Sequence, residues 1–244
     1  AANYAFGGAL LAEGKVDVRE LTWTGATVQN RTYDTSTNAT VTGYGVLGNI
    51  VTSDIGQVSL DTSTVGAAFQ LKDAGTQRAV SVWGSITGSA SSDYSLSGTT
   101  AYADIARAQL QVTGASASNK VYDGTTTAAV SGGAVTALAG DVVSLSTAAN
   151  ANFVDKNVGT AKAVTTAYTL SGTDAGNYNL VQASGLTANI TPKALTASFT
   201  GSSKVYDAGT IASVTGGSSD VVVGDVVTYN QSAAFVDKNV GTGK

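Results

Sequence analysis

The chain has 244 residues, 43% of them hydrophobic and only 12% charged, with a single Pro and no His, Cys or Met. Without His or Cys it cannot build a zinc site of the usual ligand set, a Ser-His-Asp triad or a thiolate nucleophile, so the expectation is a protein that is not an enzyme. A net charge of −4 with 13 dispersed basic residues argues against nucleic acid as a partner, and no apolar run approaches the ~20 residues that insert across a bilayer.

The first twenty residues have the spacing of a later segment. Asn3-Tyr4 stands as far from Leu21 as Asn177-Tyr178 stands from Leu195, so residues 1–20 read as the tail of a preceding repeat. Starting on Ala1 rather than Met, the chain is expected to be a processed product or a piece of something longer.

Residues 21–109 form a divergent repeat A, in which Leu21-Thr22-Trp23-Thr24-Gly25 and Tyr33-Asp34 lie 89 residues before Leu110 to Gly114 and Tyr122-Asp123. Residues 110–194 form repeat B. Its Lys120-Val121-Tyr122-Asp123 and Gly140-Asp141-Val142-Val143 both return 84 residues later, as Lys204 to Asp207 and Gly224 to Val227. The run Phe153 to Thr160 recurs unchanged as Phe235 to Thr242. Residues 195–244 are therefore a truncated repeat C, lacking a counterpart of everything after about Lys162.

Leu186 to Ile190 of repeat B and Leu195 to Phe199 at the start of repeat C alternate apolar with polar residues, as half-buried strands do. Val142 to Ser146, Ala161 to Leu170 and Tyr178 to Gln182 are further predicted strands, separated by Gly- and Asn-rich turns. No segment sustains a 3.6-residue period. The expected architecture is all-β, with tandem antiparallel β-sandwich (immunoglobulin-like) repeats of about 84 residues in an extended array; the alternative is a β-grasp-like repeat. Thr173 to Leu180 has the letters of a tyrosine corner with Tyr178 at its centre. Pro192 makes the junction between B and C short and stiff.

Lys120 to Thr126, Asn157 to Thr160, Asp174 to Tyr178 and Ile190 to Lys193 resemble the YDG-type repeats of very large bacterial surface proteins, among them filamentous-haemagglutinin-like adhesins exported by two-partner secretion. That resemblance implies an extracellular, cell-surface or secreted stalk. It covers B and C well and A loosely, since Thr35 stands where the motif has Gly.

Several residues are candidates for more than packing. Trp23 and Trp83 occur only in repeat A and are the candidates for stacking on a host or neighbouring-cell glycan, or for contact with a surface protein. Tyr33, Tyr122 and Tyr206 repeat with the fold, as do Asp123 and Asp207, and are read as structural markers. Lys72, Lys156 and Lys238 share one place in the three repeats; a Lys-Asn crosslink is one reading and an ordinary turn Lys the other. No cofactor is called for, but Asp123, Asp141 and Asp174 are weak candidates for calcium, against their ordinary use as turn formers. Finally, residues 1–20 resemble what repeat C lacks, so head-to-tail self-association through that tail and the open edge of repeat C is expected.

Overall fold

The computed structural model describes residues 13–147 and 150–244. Among them the only helical elements are three single 3-10 turns, at Thr52–Asp54, Ser91–Asp93 and Ala175–Asn177, and all other regular structure is strand. Most of the proposed N-terminal tail, residues 1–12, lies outside the described residues. From residue 13 to residue 18 the chain is exposed and unpaired, and the first strand is Arg19–Val28.

The chain divides into two compact units whose borders do not follow the repeats. One runs to Leu110 and takes in Ala137–Val143 and Gly172–Asn179; the other comprises Gln111–Thr136, Ser144–Ser171 and Leu180–Lys244. The first unit therefore contains repeat A together with two short segments of repeat B.

In the first unit, a four-stranded sheet has the order Arg31–Thr32, Thr99–Ala106, Gly75–Thr87, Ser59–Phe69. The second unit repeats it as Lys120–Val121, Thr187–Thr191, Gly159–Thr165, Asn152–Phe153. In both sheets the first pair is parallel and the remaining pairs are antiparallel. A three-stranded sheet of the first unit, Val41–Gly48, Arg19–Val28, Tyr94–Leu96, likewise has one parallel pair. The sheets are thus mixed rather than purely antiparallel. The physical reason is that period-2 alternation sets which face of a strand is buried but says nothing about its direction, and a parallel pair needs only a long enough crossover. Here the crossover is most of a repeat.

Alternation of the strands appears as burial. Ala101, Ala103 and Ile105 face inward from Thr99–Ala106, while Val80 and Val82 face inward from Gly75–Thr87. In the second unit, Phe153, Val164, Ala188 and Ile190 form the core with Ala128 and Ala151. Ile105 and Ile190 occupy equivalent places on the closing strand of each repeat and are 2% and 1% exposed. Burying such a side chain is worth about 2 kcal/mol, and these two anchor the sheets. Beyond Pro192 the chain stays exposed, and strand geometry begins only at Ser198. The alternation in Leu195 to Phe199 is therefore not used over its first three residues.

Candidate functional site

The shared motif folds locally through its Asp. Asp34, Asp123 and Asp207 each accept the backbone N–H two residues on, from Ser36 (2.9 Å), Thr125 (2.8 Å) and Gly209 (2.9 Å). Each also binds a cation three residues earlier, Arg31, Lys120 or Lys204. That cation lies over a ring of the same repeat, Phe69, Phe153 or Phe235, at 5.1, 5.6 and 5.6 Å from the centroid. The Lys120 ammonium, then the Thr125 N–H, hold the Asp123 carboxyl down at about 2. The residue after each Asp has positive φ: Thr35 at 71°, Gly124 at 79°, Ala208 at 63°. Only Gly adopts that conformation without strain. Repeat A thus keeps the motif's shape although Thr35 has lost its Gly.

With the Asp engaged locally, the motif Tyr is free to point elsewhere. In the first unit the Tyr33 hydroxyl donates to the Asp141 carboxylate (2.8 Å) and accepts from Lys72 Nζ (2.8 Å). Tyr178 donates to the same carboxylate (2.7 Å) and accepts the Leu138 N–H (2.9 Å), with its ring edge-on to Tyr33 at 5.7 Å. Lys72 also reaches Asp174 (3.0 Å) and Asp141 (3.4 Å). Beside it the buried Asn177 accepts the Ala74 N–H (2.8 Å) and donates to Asp73 (3.1 Å). Tyr33, Lys72 and Asp73 belong to repeat A; Asp141, Asp174, Asn177 and Tyr178 belong to repeat B. The cluster is a polar latch from one repeat to the next.

Its titration follows from this geometry. Burial, then the bond to Asp141, pushes Tyr178 up to about 12, and burial raises Tyr33 as well. Its bonds to Tyr33 and Asp174 push Lys72 well above the ordinary lysine range. The Val142 N–H, then Lys72, holds Asp174 below its usual value.

The second unit repeats the latch in reduced form. Asp225 of repeat C lies 3.6 Å from Lys156 Nζ, and its carboxylate beside the Tyr122 hydroxyl raises that tyrosine. Closeness to Tyr122, then to Asp225, raises Lys156. Tyr122, Lys156 and Asp225 thus stand where Tyr33, Lys72 and Asp141 stand in the first.

Of the other predicted residues, Trp23 is 5% exposed and donates its indole N–H to the Tyr44 carbonyl (2.6 Å), while Trp83 is 50% exposed. Trp23 is turned away from solvent; Trp83 remains accessible. Asp123 is held by Lys120, and Asp141 and Asp174 by Lys72, so a basic side chain already meets the charge of each calcium candidate. Lys72 Nζ contacts a phenol and carboxylates, not the amide a Lys-Asn crosslink requires. The Tyr178 hydroxyl reaches 40 residues back, to Leu138, much farther than a tyrosine corner spans. Tyr206 and Lys238, the repeat C counterparts of Tyr33 and Lys72, have no carboxylate partner among the described residues.

The pairing of Lys72 and Lys156 with Asp141 and Asp225 was not drawn from the sequence, although the common repeat spacing of both carried it. Asp54, the partner of Tyr94, was missed for a different reason. Their hydroxyl-to-carboxylate bond (2.7 Å) and the Val51 N–H on Tyr94 (3.0 Å) copy those of Asp141, Tyr178 and Leu138, but repeat A writes Ser53-Asp54-Ile55 where B writes Gly140-Asp141-Val142.

A chain built from recurring all-β units, with its most conspicuous polar groups spent on joining one to the next, is a tandem-repeat protein. It belongs to the YDG domain family, matched over residues 17–101, 106–185 and 191–244. No curated protein and no solved structure matches it.

Proposed function

We propose that the chain is a non-catalytic structural segment of a large bacterial cell-surface or secreted adhesin of the filamentous-haemagglutinin-like kind, serving as a semi-rigid extracellular spacer. The observation that carries this reading is the recurrence of the Tyr-Lys-Asp latch at two successive repeats. A series of identical repeats stays stiff only if each is tied to its neighbour, because inter-domain motion is otherwise the default. Within this reading, the parallel pairing of the motif strand with the closing strand favours the β-grasp-like repeat over the immunoglobulin-like sandwich, whose sheets are antiparallel.

The half-exposed Trp83 supports a second reading, a glycan-binding site on repeat A. A glycan array probed with the chain and with a Trp83→Ala variant separates them. The spacer reading expects no binding with or without calcium; binding that the variant loses would replace it with the lectin reading.

A further inference from the structure

One ion pair is made in the second unit and broken in the first. In repeat B the loop between Asn152–Phe153 and Gly159–Thr165 carries Asp155, whose carboxylate accepts from Lys162 Nζ (2.5 Å) and from the Asn157 N–H (2.7 Å). Lys162, then that N–H, holds Asp155 below its usual value. Repeat C copies the arrangement with Asp237, Lys244 and the Asn239 N–H. Counted from Phe69, which stands for Phe153, the same places in repeat A hold Leu71, Arg78 and Asp73. The cation is kept and its acid is gone.

Arg78 follows the course of its counterparts. A Cβ on Gly75 would meet the Arg78 side chain at 2.4 Å, as one on Gly159 would meet Lys162 at 3.1 Å and one on Gly241 would meet Lys244 at 2.8 Å. Each cation therefore lies across the glycine three residues before it. The far end differs. Nη2 of Arg78 donates to the Ala74 carbonyl, and its Nε is buried with no acceptor. Every Asp and Glu of the chain lies among the described residues, and none forms an ion pair with the guanidinium. Asp73 is engaged by the Asn177 amide (3.1 Å) and Asp104 by the Gln77 N–H (2.8 Å). Beside Arg78 opens a cleft of about 160 Å³, lined also by Gln70, Leu71, Thr76, Gln77 and Ala79, in which Leu71 is 57% exposed.

A guanidinium is best met by a carboxylate, which matches its fork of N–H groups. The chain supplies an acid at this place twice and omits it once. We propose that the cleft of repeat A binds a carboxylate from outside the chain, carried on a short apolar stem. That carboxylate takes the place of Asp155, with Arg78 as its cation and the Asp73 N–H in the role of the Asn157 N–H. Leu71 packs on the stem, which selects the side chain of an acidic peptide or a free short carboxylic acid over a hydroxyl-covered uronic sugar. The site requires neither the spacer nor the lectin reading.

Nuclear magnetic resonance titration of the full ¹⁵N-labelled chain tests this, with acetate and an end-capped peptide bearing a single aspartate as probes and chloride as the control. The Asp73 N–H and Arg78 Nε–H signals should shift saturably, with a Kd of roughly 10 mM, and the same peptide with asparagine should move neither. Tighter binding of the peptide identifies an acidic side chain as the source, and tighter binding of acetate a free acid. Arg78→Lys, the cation of the other repeats, should still bind, whereas Arg78→Gln should not. Leu71→Asp supplies the missing acid from the chain itself, so it should abolish binding and raise Tm by about 2 °C. Unchanged far-ultraviolet circular dichroism verifies folding of each variant. Signals that move for neither probe, or equally for chloride, would overturn the proposal. So would binding that survives Arg78→Gln or Leu71→Asp, or a Leu71→Asp chain no more stable than its parent.

Discussion

The two latches use the same three residue types but are built to different depths. In the first unit the Asp141 side chain is 3% exposed, and two tyrosine hydroxyls and Lys72 converge on it. In the second unit the Asp225 side chain is 26% exposed and meets one tyrosine and one lysine. Repeat B supplies the difference. Its turn Gly172–Asn179 brings Asp174, Asn177 and Tyr178 against repeat A, whereas residues 195–244 have no such turn. The Tyr-Lys-Asp motif thus identifies partners, and a second segment shields them from water.

That contrast is broken most directly at the carboxylates. Asp141→Ala leaves two buried hydroxyls without their acceptor, while Lys72 keeps Asp174, and should cost about 3 kcal/mol; Asp225→Ala should cost about 1 kcal/mol or less. Both tryptophans lie in the first unit. Urea unfolding followed by their fluorescence should therefore move for Asp141→Ala and hardly at all for Asp225→Ala, whose effect should appear in hydrogen exchange around Val164 and Ile190. Equal costs would mean that the second segment does nothing.

A smaller separation is expected at the tyrosines. Tyr33→Phe should lose about 1.5 kcal/mol and Tyr122→Phe about half of that, because the second hydroxyl has water as an alternative partner. The motif turn gives changes of opposite sign. Thr35→Gly relieves positive φ and should stabilise by about 1 kcal/mol. Gly124→Ala should destabilise by a similar amount, since its Cβ would also come within 2.8 Å of Val222. Differential scanning calorimetry on the pair reads both signs.

The gentlest test is pH. Asp123 titrates at about 2 in the fold against an ordinary 3.8, and Asp174 is shifted the same way. Their stabilisation is complete above pH 4 and is lost as pH falls toward 2. Tyr178 moves from 10.0 to about 12, with Tyr33 and Lys72 also raised. Because the fold holds these protons more tightly, stability is intact below pH 10 and declines as pH climbs toward 12. Asp141→Ala should shrink the alkaline limb in the first unit by the part that its bonds add to burial, and leave the acid limb of Asp123 unchanged.

The repeats, the all-β class and the places of some strands of repeat B, Tyr178–Val181 and Thr187–Thr191 among them, could be read from letters alone, because exact recurrence and period-2 alternation are local patterns. Ile190 is deeply buried where the alternation put an apolar residue. The antiparallel expectation failed at Arg31–Thr32 and Lys120–Val121 because alternation carries no direction. Tyr33 was legible as a repeated residue that packs, but its hydroxyl's partner lies 108 positions away, in the next repeat. Trp23 and Trp83 looked alike in sequence, and only their neighbours bury one and expose the other.

The repeat unit, its β character and the local turn at Asp34, Asp123 and Asp207 are written in the letters, since these depend on alternation and on side chains reaching two or three residues along the chain. That the tyrosine and lysine of one repeat hold the aspartate of the next comes from the fold. Such a contact depends on which segments folding brings within 3 Å of each other, and no spacing within one repeat encodes it.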